Sequence, residues 1–249
     1  MENIGIISFY GLIFGIAGTS LGGLIGAFLK INKEKYLSFI LEFAAGLMTA
    51  IICFDLIPET LNIVSISTCI IGIFIGIISM IYCNKIVNDY VRKKLTTDKL
   101  TNKTSMFRTG IIIAIGLAIH NFPEGLAIGA GFEASNSLGL KLAIAIALHD
   151  VPEGISISLP LKTSGTSKIK SILITTLSGL TTGIGAFFGV IIGNVSQSLI
   201  GLSLSFAAGA MLYIVTCELI PESKKRYSGR FASLGNMLGL IIGLFTKVL

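Results

Sequence analysis

Two similar short motifs, AIHNFPEGLAI and ALHDVPEGISI, contain the two histidines of the chain and lie 29 residues apart. In each motif a glutamate follows the histidine after four residues, which pairs His120 with Glu124 and His149 with Glu153. Four helical residues rise about 6 Å and complete slightly more than one turn, so each pair shares one helix face. Two such helices facing each other would offer two imidazoles and two carboxylates, a set that suits Zn²⁺ in near-tetrahedral geometry.

Asn121 and Asp150 follow the two histidines directly, so both project from a neighbouring face of the same helices. They could bind a second ion that the same glutamates bridge. They could equally orient the imidazoles through hydrogen bonds, as residues around a metal site often do. The sequence alone leaves both interpretations open.

A purely structural explanation of the two motifs is that buried polar residues satisfy one another. Both motifs lie in strongly apolar surroundings and together contain three acidic residues, Glu124, Asp150 and Glu153. A carboxylate at the centre of a bilayer costs about 2.5–3.5 kcal/mol on insertion scales. Packing alone would not favour three of them, so the motifs predict a functional cation site.

The elements that carry these motifs are predicted from hydropathy. Charged residues make up only 13% of the 249 positions and the mean hydropathy is +0.87, which indicates a membrane protein and not a soluble domain. A spanning helix needs about 20 mostly apolar residues. Eight segments qualify and predict an all-α membrane protein with eight transmembrane helices: 4–29, 37–58, 63–84, 109–131, 138–160, 170–192, 198–220 and 230–248.

The basic residues predict the orientation, because lysine and arginine are retained on the cytoplasmic side. With both termini outside, 17 of the 19 basic residues fall in cytoplasmic connections, the longest of which is the loop 85–108. Lys141 and Lys247 are the two left outside. We therefore expect a multi-pass protein of the cell membrane, with the lipid bilayer and not nucleic acid as its surroundings.

An internal repeat relates residues 41–60, LEFAAGLMTAIICFDLIPET, to residues 204–223, LSFAAGAMLYIVTCELIPES, with more than half of the positions identical. In the predicted topology the copies run in opposite directions, which indicates an inverted repeat of helices one to three and six to eight around helices four and five. Acidic residues at both mouths would concentrate cations along an ion path, although ordinary acidic helix ends would look the same. These residues are Asp55 and Glu59 at the outer mouth and Glu218 and Glu222 at the inner mouth.

At these residues, and above all in HNFPEG and HDVPEG, the sequence resembles the ZIP (Zrt/Irt-like) family of metal transporters over nearly its full length, in the bacterial branch typified by ZupT and GufA. The resemblance implies eight helices and uptake of zinc into the cytoplasm, with iron(II), manganese, cobalt and cadmium as further substrates. It also implies that the metal is transported cargo and that no prosthetic group is needed. By motif position, the resemblance assigns the first metal site to His120, Glu124, His149 and Glu153, and the second to Asn121 and Asp150.

The chain departs from the family pattern in helix six, where relatives often carry a glutamate. Residues 171–217 contain no charged side chain, and Thr181 and Thr182 occupy the corresponding place. The sequence therefore does not decide whether one or two ions bind. It also leaves open the preferred metal, the driving force and the assembly, for which a homodimer is one option.

Two other function classes compete with a metal transporter. An intramembrane zinc hydrolase would need a metal-bound water and a separate base. A proton-coupled solute carrier could use histidine and glutamate as a proton relay, but would call for a shaped organic pocket. The matched motifs on antiparallel helices favour passage of an ion, so we expect a transporter and not an enzyme.

Overall fold

The computed structural model describes residues 2–28, 34–95 and 102–246. Within these residues the chain is almost entirely helical, and no strand occurs in them. Eight helical segments follow one another in the predicted order: α1 (Glu2–Phe28), α2 (Glu34–Ile63), α3 (Ile66–Leu95), α4 (Asn102–Ala134), α5 (Asn136–Thr163), α6 (Lys168–Gly193), α7 (Gln197–Arg226) and α8 (Arg230–Thr246).

Most of these helices can span a bilayer. Among the described residues, seven stretches, one in each of α1 to α7, are long and apolar enough to cross, and the eighth helix is a shorter apolar one, Arg230–Phe245. A span of about 17 residues is the lower limit for crossing the hydrocarbon region. The prediction of an all-helical membrane protein is confirmed.

The third and fourth helices extend further than predicted. Much of the predicted cytoplasmic loop 85–108 is helical, since α3 continues to Leu95 and α4 begins at Asn102. Hydropathy marks only the part of a helix that lies in the membrane, so a polar helical extension is read as a loop. Residues 96–101 of that predicted loop lie outside the described residues, as does Lys247.

Three helices are irregular in the membrane. The sixth is divided at Gly179 into the pieces Lys168–Ser178 and Leu180–Gly193. The second and seventh contain π-helical turns at Ile51–Leu56 and Val215–Leu219, each just before a proline. Proline cannot donate a backbone hydrogen bond and its ring clashes with the carbonyl four residues earlier, and a wider turn relieves that clash.

Helix packing follows the symmetry of an inverted repeat, in which α1 corresponds to α6, α2 to α7, α3 to α8 and α4 to α5. The close pair of α1 and α5 has its counterpart in α6 and α4. The pair of α2 and α8 likewise corresponds to α7 and α3, and the contact of α2 with α5 corresponds to that of α7 with α4. The two motif helices therefore lie at the centre, each against its own set of repeat helices.

The glycine of each PEG motif permits this close packing. Gly125 on α4 lies directly against the carbonyl of Thr182, and Gly154 on α5 lies against the carbonyl of Thr19. Thr19 and Thr182 are 163 residues apart, the same offset that relates the two copies of the repeat. The structure thus extends the repeat to α1 and α6, where sequence identity alone does not reveal it.

Candidate metal site

Four side chains from the two motif helices converge in the core. Glu124 on α4 meets His149, Asp150 and Glu153 on α5, and one ligand atom from each lies within 4.8 Å of all the others. All four residues are at most 1% exposed. One imidazole and three carboxylates at this spacing form a cluster of the kind that holds a divalent cation.

The imidazole of His149 is held with one nitrogen turned toward the cluster. Its Nδ1 lies 3.2 Å from the carbonyl oxygen of Ala145, which only accepts hydrogen bonds, so Nδ1 carries the proton. Its Nε2 lies 3.0 Å from Glu124 Oε1. A backbone contact of this kind fixes the tautomer and leaves Nε2 as the atom able to bind a metal.

Five of the six carboxylate oxygens in the cluster have no hydrogen-bond partner. Both oxygens of Asp150, both of Glu153 and Oε2 of Glu124 are buried and make no hydrogen bond. The 3.6 Å separation between His149 Nε2 and Asp150 Oδ1 is too long for one. Buried charges are normally paired or bound to a metal, so five such oxygens in one cluster fit a bound cation.

His120 takes a different position from the one its motif predicts. Its Nε2 lies 2.8 Å from Glu218 Oε2 on α7, and its Nδ1 is buried without a hydrogen-bond partner. Glu218 Oε1 in turn accepts a hydrogen bond of 2.6 Å from Asn84 on α3. The predicted set of two histidines and two glutamates is thus divided, and Asp150 takes the place of His120 in the cluster.

A cavity leads from His120 to the surface. It has a volume of about 290 Å³ and is lined, among others, by Asn84, Cys217, Glu218 and Glu222. Its mouth lies toward the end of α7 that the sequence predicts to be cytoplasmic. The cavity connects the neighbourhood of the cluster with the surface near Glu222.

Asn121 does not belong to the four-residue cluster. Its side-chain amide donates a hydrogen bond of 3.0 Å to the carbonyl of Ser178, at the break in α6. Its Oδ1 is buried and has no hydrogen-bond partner, as is also true of Thr182 Oγ1. The two motif positions that were predicted to act alike therefore differ, since Asp150 joins the cluster and Asn121 faces α6.

The residues of the predicted ion path lie in two different settings. Asp55 and Glu59 are half-buried, and Glu59 is 3.5 Å from the amide of Asn62. Glu222 is paired with Arg226 at 2.9 Å, and Arg226 also contacts Glu34 at 3.1 Å. The charge of Glu222 is therefore compensated by Arg226.

Two functional candidates were missed by the sequence analysis. Asn84 supports Glu218, and Glu42 is a buried carboxylate that pairs with Lys224 at 3.2 Å. Both are isolated polar residues within otherwise apolar segments, and this signal could have identified them. The pairing of Glu222 with Arg226 could also have been found, because residues four apart on a helix are neighbours.

The fold and this site define a polytopic membrane protein with a buried cluster of one histidine and three acidic residues. Residues 92–249 match the family described as ZIP Zinc transporter. The zinc transporter ZupT of Chlorobium chlorochromatii is 30% identical over 258 aligned residues, covering 97% of this chain and 96% of the relative. ZupT of Clostridium perfringens is 32% identical, over 97% of this chain and 95% of its own.

The zinc transporter GufA of Myxococcus xanthus is 37% identical over 139 residues, or 55% of each chain. The alignment with the ZupT proteins thus covers nearly the whole chain, whereas the alignment with GufA has a higher sequence identity but covers about half of it. The chain belongs to the ZIP zinc transporter family. The resemblance seen in the doubled HNFPEG and HDVPEG motifs is confirmed, and a hydrolase is not favoured because these relatives are named as transporters.

Proposed function

We propose that the chain mediates uptake of Zn²⁺ into the cytoplasm and that the cluster of Glu124, His149, Asp150 and Glu153 binds the ion during transport. The observation that carries the proposal is the group of five buried carboxylate oxygens without hydrogen-bond partners. A dehydrated divalent cation supplies the positive charge that compensates these carboxylates. Fe²⁺, Mn²⁺, Co²⁺ and Cd²⁺ are further substrates in this proposal, since the same oxygen and nitrogen donors suit them.

The ion leaves the cluster by way of His120 and Glu218. The buried Nδ1 of His120 has no hydrogen-bond partner, and its other nitrogen contacts the Glu218 carboxylate at the inner end of the site. Beyond these residues the cavity provides a hydrated way out. Binding has to be moderate, because an ion held too tightly would not be released.

On the opposite side, Asp55 and Glu59 attract the ion and Glu222 lies at its exit. This assignment rests on their place in the repeat and on their partial exposure. We also propose that the chain forms a single transmembrane domain in the cell membrane with both termini outside. A homodimer is the proposed assembly, and mass measurement of the purified protein tests it.

The uptake proposal is tested with purified protein in liposomes. Wild type should take up radioactive Zn²⁺ in a saturable manner, and the Glu124→Gln variant should lose more than about 99% of the rate because it lacks a ligand. Glu133→Gln is the matched control, since Glu133 lies on the same helix but is not one of the cluster residues. Equal uptake by the two variants, or no uptake by wild type, would overturn the proposal.

A second experiment addresses the predicted histidines. The double variant His120→Ala, His149→Ala should abolish transport of Zn²⁺, Fe²⁺, Mn²⁺, Co²⁺ and Cd²⁺, while Mg²⁺ should not be transported even by wild type. Mg²⁺ dehydrates reluctantly and prefers oxygen ligands in octahedral geometry, so an imidazole-containing site disfavours it. Zinc binding without any flux would instead indicate a catalytic or sensing site.

A further inference from the structure

An apolar groove lies between α2 and α5, on the outer surface of the helix bundle. It has a volume of about 390 Å³ and is lined only by apolar side chains, among them Phe39 and Phe43 on α2 and Leu148, Val151 and Ile155 on α5. Leu148 is 49% exposed, so the groove is open to the surroundings of the helices. Those surroundings are hydrocarbon in a membrane, and an open apolar groove there accommodates an acyl chain and not a polar solute.

The inverted repeat produces a second groove of this kind, between α7 and α4, with a volume of about 510 Å³ and further walls from α3 and α6. The equivalents of Phe39, Phe43, Val151 and Ile155 in the second groove are Leu202, Phe206, Phe122 and Leu126. In the predicted topology the first groove faces the cytoplasmic leaflet and the second faces the outer leaflet. The two grooves can therefore be compared position by position.

The grooves differ in the charge at their ends. Lys35 lies one turn before Phe39 on α2, and Lys162 lies two turns after Ile155 on α5. Residues at these spacings share a helix face, so both lysines lie at the predicted cytoplasmic end of the first groove. Both are partly exposed. The equivalent residues at the end of the second groove are Ser198 and Glu133. Two cations thus mark only the first of the two grooves.

Aromatic rings hold the ammonium group of Lys35 next to the groove. Its Nζ lies 5.0 Å from the ring centre of Tyr36 and 5.5 Å from that of Phe231. Phe231 in turn stacks on Phe39 in the groove wall, with 5.1 Å between ring centres. A cation within about 6 Å of a ring centre is attracted to the ring face. Lysine and tyrosine side chains in this arrangement are typical of the headgroup level of a membrane.

We infer that an anionic phospholipid of the cytoplasmic leaflet occupies this groove, with one acyl chain between α2 and α5 and its phosphate at Lys35 and Lys162. Charge complementarity identifies the headgroup class, since lysines at a membrane surface attract anionic lipids. The lipid site is independent of the uptake proposal, because neither lysine belongs to the metal cluster or to the ion path.

The bound acyl chain contacts the segment of α5 that carries the metal cluster. Val151 and Pro152 line the groove. They stand between Asp150 and Glu153, which belong to the cluster on the other side of the same helix. The lipid therefore packs against the back of the metal-binding segment, where a repeat helix and a motif helix meet.

A single tryptophan in the groove tests the inference, because the chain contains no tryptophan of its own. Leu148→Trp is placed in liposomes of equal parts phosphatidylglycerol and phosphatidylcholine, with bromine atoms on the acyl chains of one lipid or the other. Brominated phosphatidylglycerol should quench the tryptophan fluorescence about fivefold more effectively than brominated phosphatidylcholine. Ile144→Trp is the matched control, since Ile144 lies one turn earlier on α5, is 41% exposed and does not line the groove. Both lipids should quench it equally.

Variants of the lysines test the position of the headgroup. In the Leu148→Trp background, Lys35→Gln together with Lys162→Gln should make quenching by the two lipids equal. Lys168→Gln together with Lys170→Gln should keep the preference, because these exposed lysines lie on α6 at the same end of the molecule but away from the groove. The preference should also fall in about 0.5 M salt, which screens exposed charges.

Native mass spectrometry of the purified protein provides a second readout that needs no tryptophan. Wild type should retain phosphatidylglycerol in preference to phosphatidylcholine, and the variant without Lys35 and Lys162 should not. Equal quenching of Leu148→Trp by the two lipids, or the same preference at Ile144→Trp, would overturn the inference and leave bulk lipid as the occupant. A preference that survives the loss of both lysines would also overturn it.

Discussion

The two copies of the internal repeat, residues 41–60 and 204–223, have the same backbone conformation but differ in their polar contacts. Both include an α-helix, a π-helical turn and a second α-helix that contains the proline. In the second copy Glu218 contacts His120 on α4, whereas His149, the counterpart of His120 on α5, contacts Glu124. The shared apolar and proline pattern determines the backbone, while the polar contacts depend on which neighbours each copy meets.

A second difference lies at the start of each copy. Glu42 in the first copy is buried and contacts both Lys224 and Ser223, which belong to the end of α7. The equivalent residue in the second copy, Ser205, donates to the carbonyl of Gly201 within its own helix. An ion pair between Glu42 and Lys224 thus joins the first copy to the end of α7. Ser205, which corresponds to Glu42, makes its hydrogen bond within its own helix instead.

Among the changes that separate the two copies, the largest effect is expected from removing one carboxylate of the equivalent pair, Glu218 and Asp55. Glu218→Gln should lower zinc uptake about tenfold, because it removes the charged partner of His120. Asp55→Asn should lower it no more than about threefold, because in this proposal Asp55 raises the local concentration of the cation and does not bind it in the cluster. The initial rate of Zn²⁺ uptake into liposomes, corrected for the amount of protein inserted, checks both variants. Equal losses would mean that the two copies act alike.

The ion pair of Glu42 should affect stability more than transport. Lys224→Met leaves a buried carboxylate without its cation, but the lysine side chain is 41% exposed, which limits the loss. We expect a loss of roughly 1 kcal/mol and a Tm lower by about 3 °C, measured by thermal unfolding in detergent. Lys225→Met, at the exposed neighbouring position, should leave the Tm unchanged. Adding Glu42→Gln to Lys224→Met should restore the Tm that Lys224→Met loses.

The smallest effect is expected at the inner mouth. Arg226→Gln frees the charges of Glu222 and Glu34 and makes the mouth more negative. The measurement is efflux of Zn²⁺ from loaded liposomes into a medium that contains a chelator. The KM for efflux should be about twofold lower at low ionic strength. The difference should vanish in about 0.5 M salt, where the Debye length falls to a few ångströms. Arg230→Gln is the control and should keep the KM of wild type. If Arg230→Gln lowered the KM as much as Arg226→Gln, the effect would not come from the ion pairs of Arg226.

Much of the fold follows from hydropathy, because long apolar runs specify the helices and their order. The polar ends of α3 and α4 could not be predicted, since helix continues there without an apolar pattern. The break at Gly179 was equally hidden, because glycine is frequent throughout the chain and only one position interrupts α6. The π-helical turns precede prolines that were visible, but proline alone does not distinguish a π-turn from a kink.

The motifs predict the residue types of the candidate site, but a motif does not specify which of these side chains meet in the fold. Helical spacing puts each histidine one turn from its glutamate. In the structure His149 and Glu153 belong to one cluster, whereas His120 contacts Glu218 on α7. Which neighbour a side chain meets depends on how α7 packs against α4, and a local period carries no such information. For the same reason Asp150 joins the cluster while Asn121, its counterpart, turns to α6.

X-ray absorption at the zinc edge tests the central claim, that the four-residue cluster is the metal site, most directly. Purified wild type loaded with one equivalent of Zn²⁺ should give a spectrum with one imidazole and otherwise oxygen ligands. His120→Ala should leave that spectrum unchanged, and His149→Ala should remove the imidazole signal. Two imidazoles in wild type, or an imidazole signal that survives in His149→Ala, would contradict the account and return His120 to the primary site.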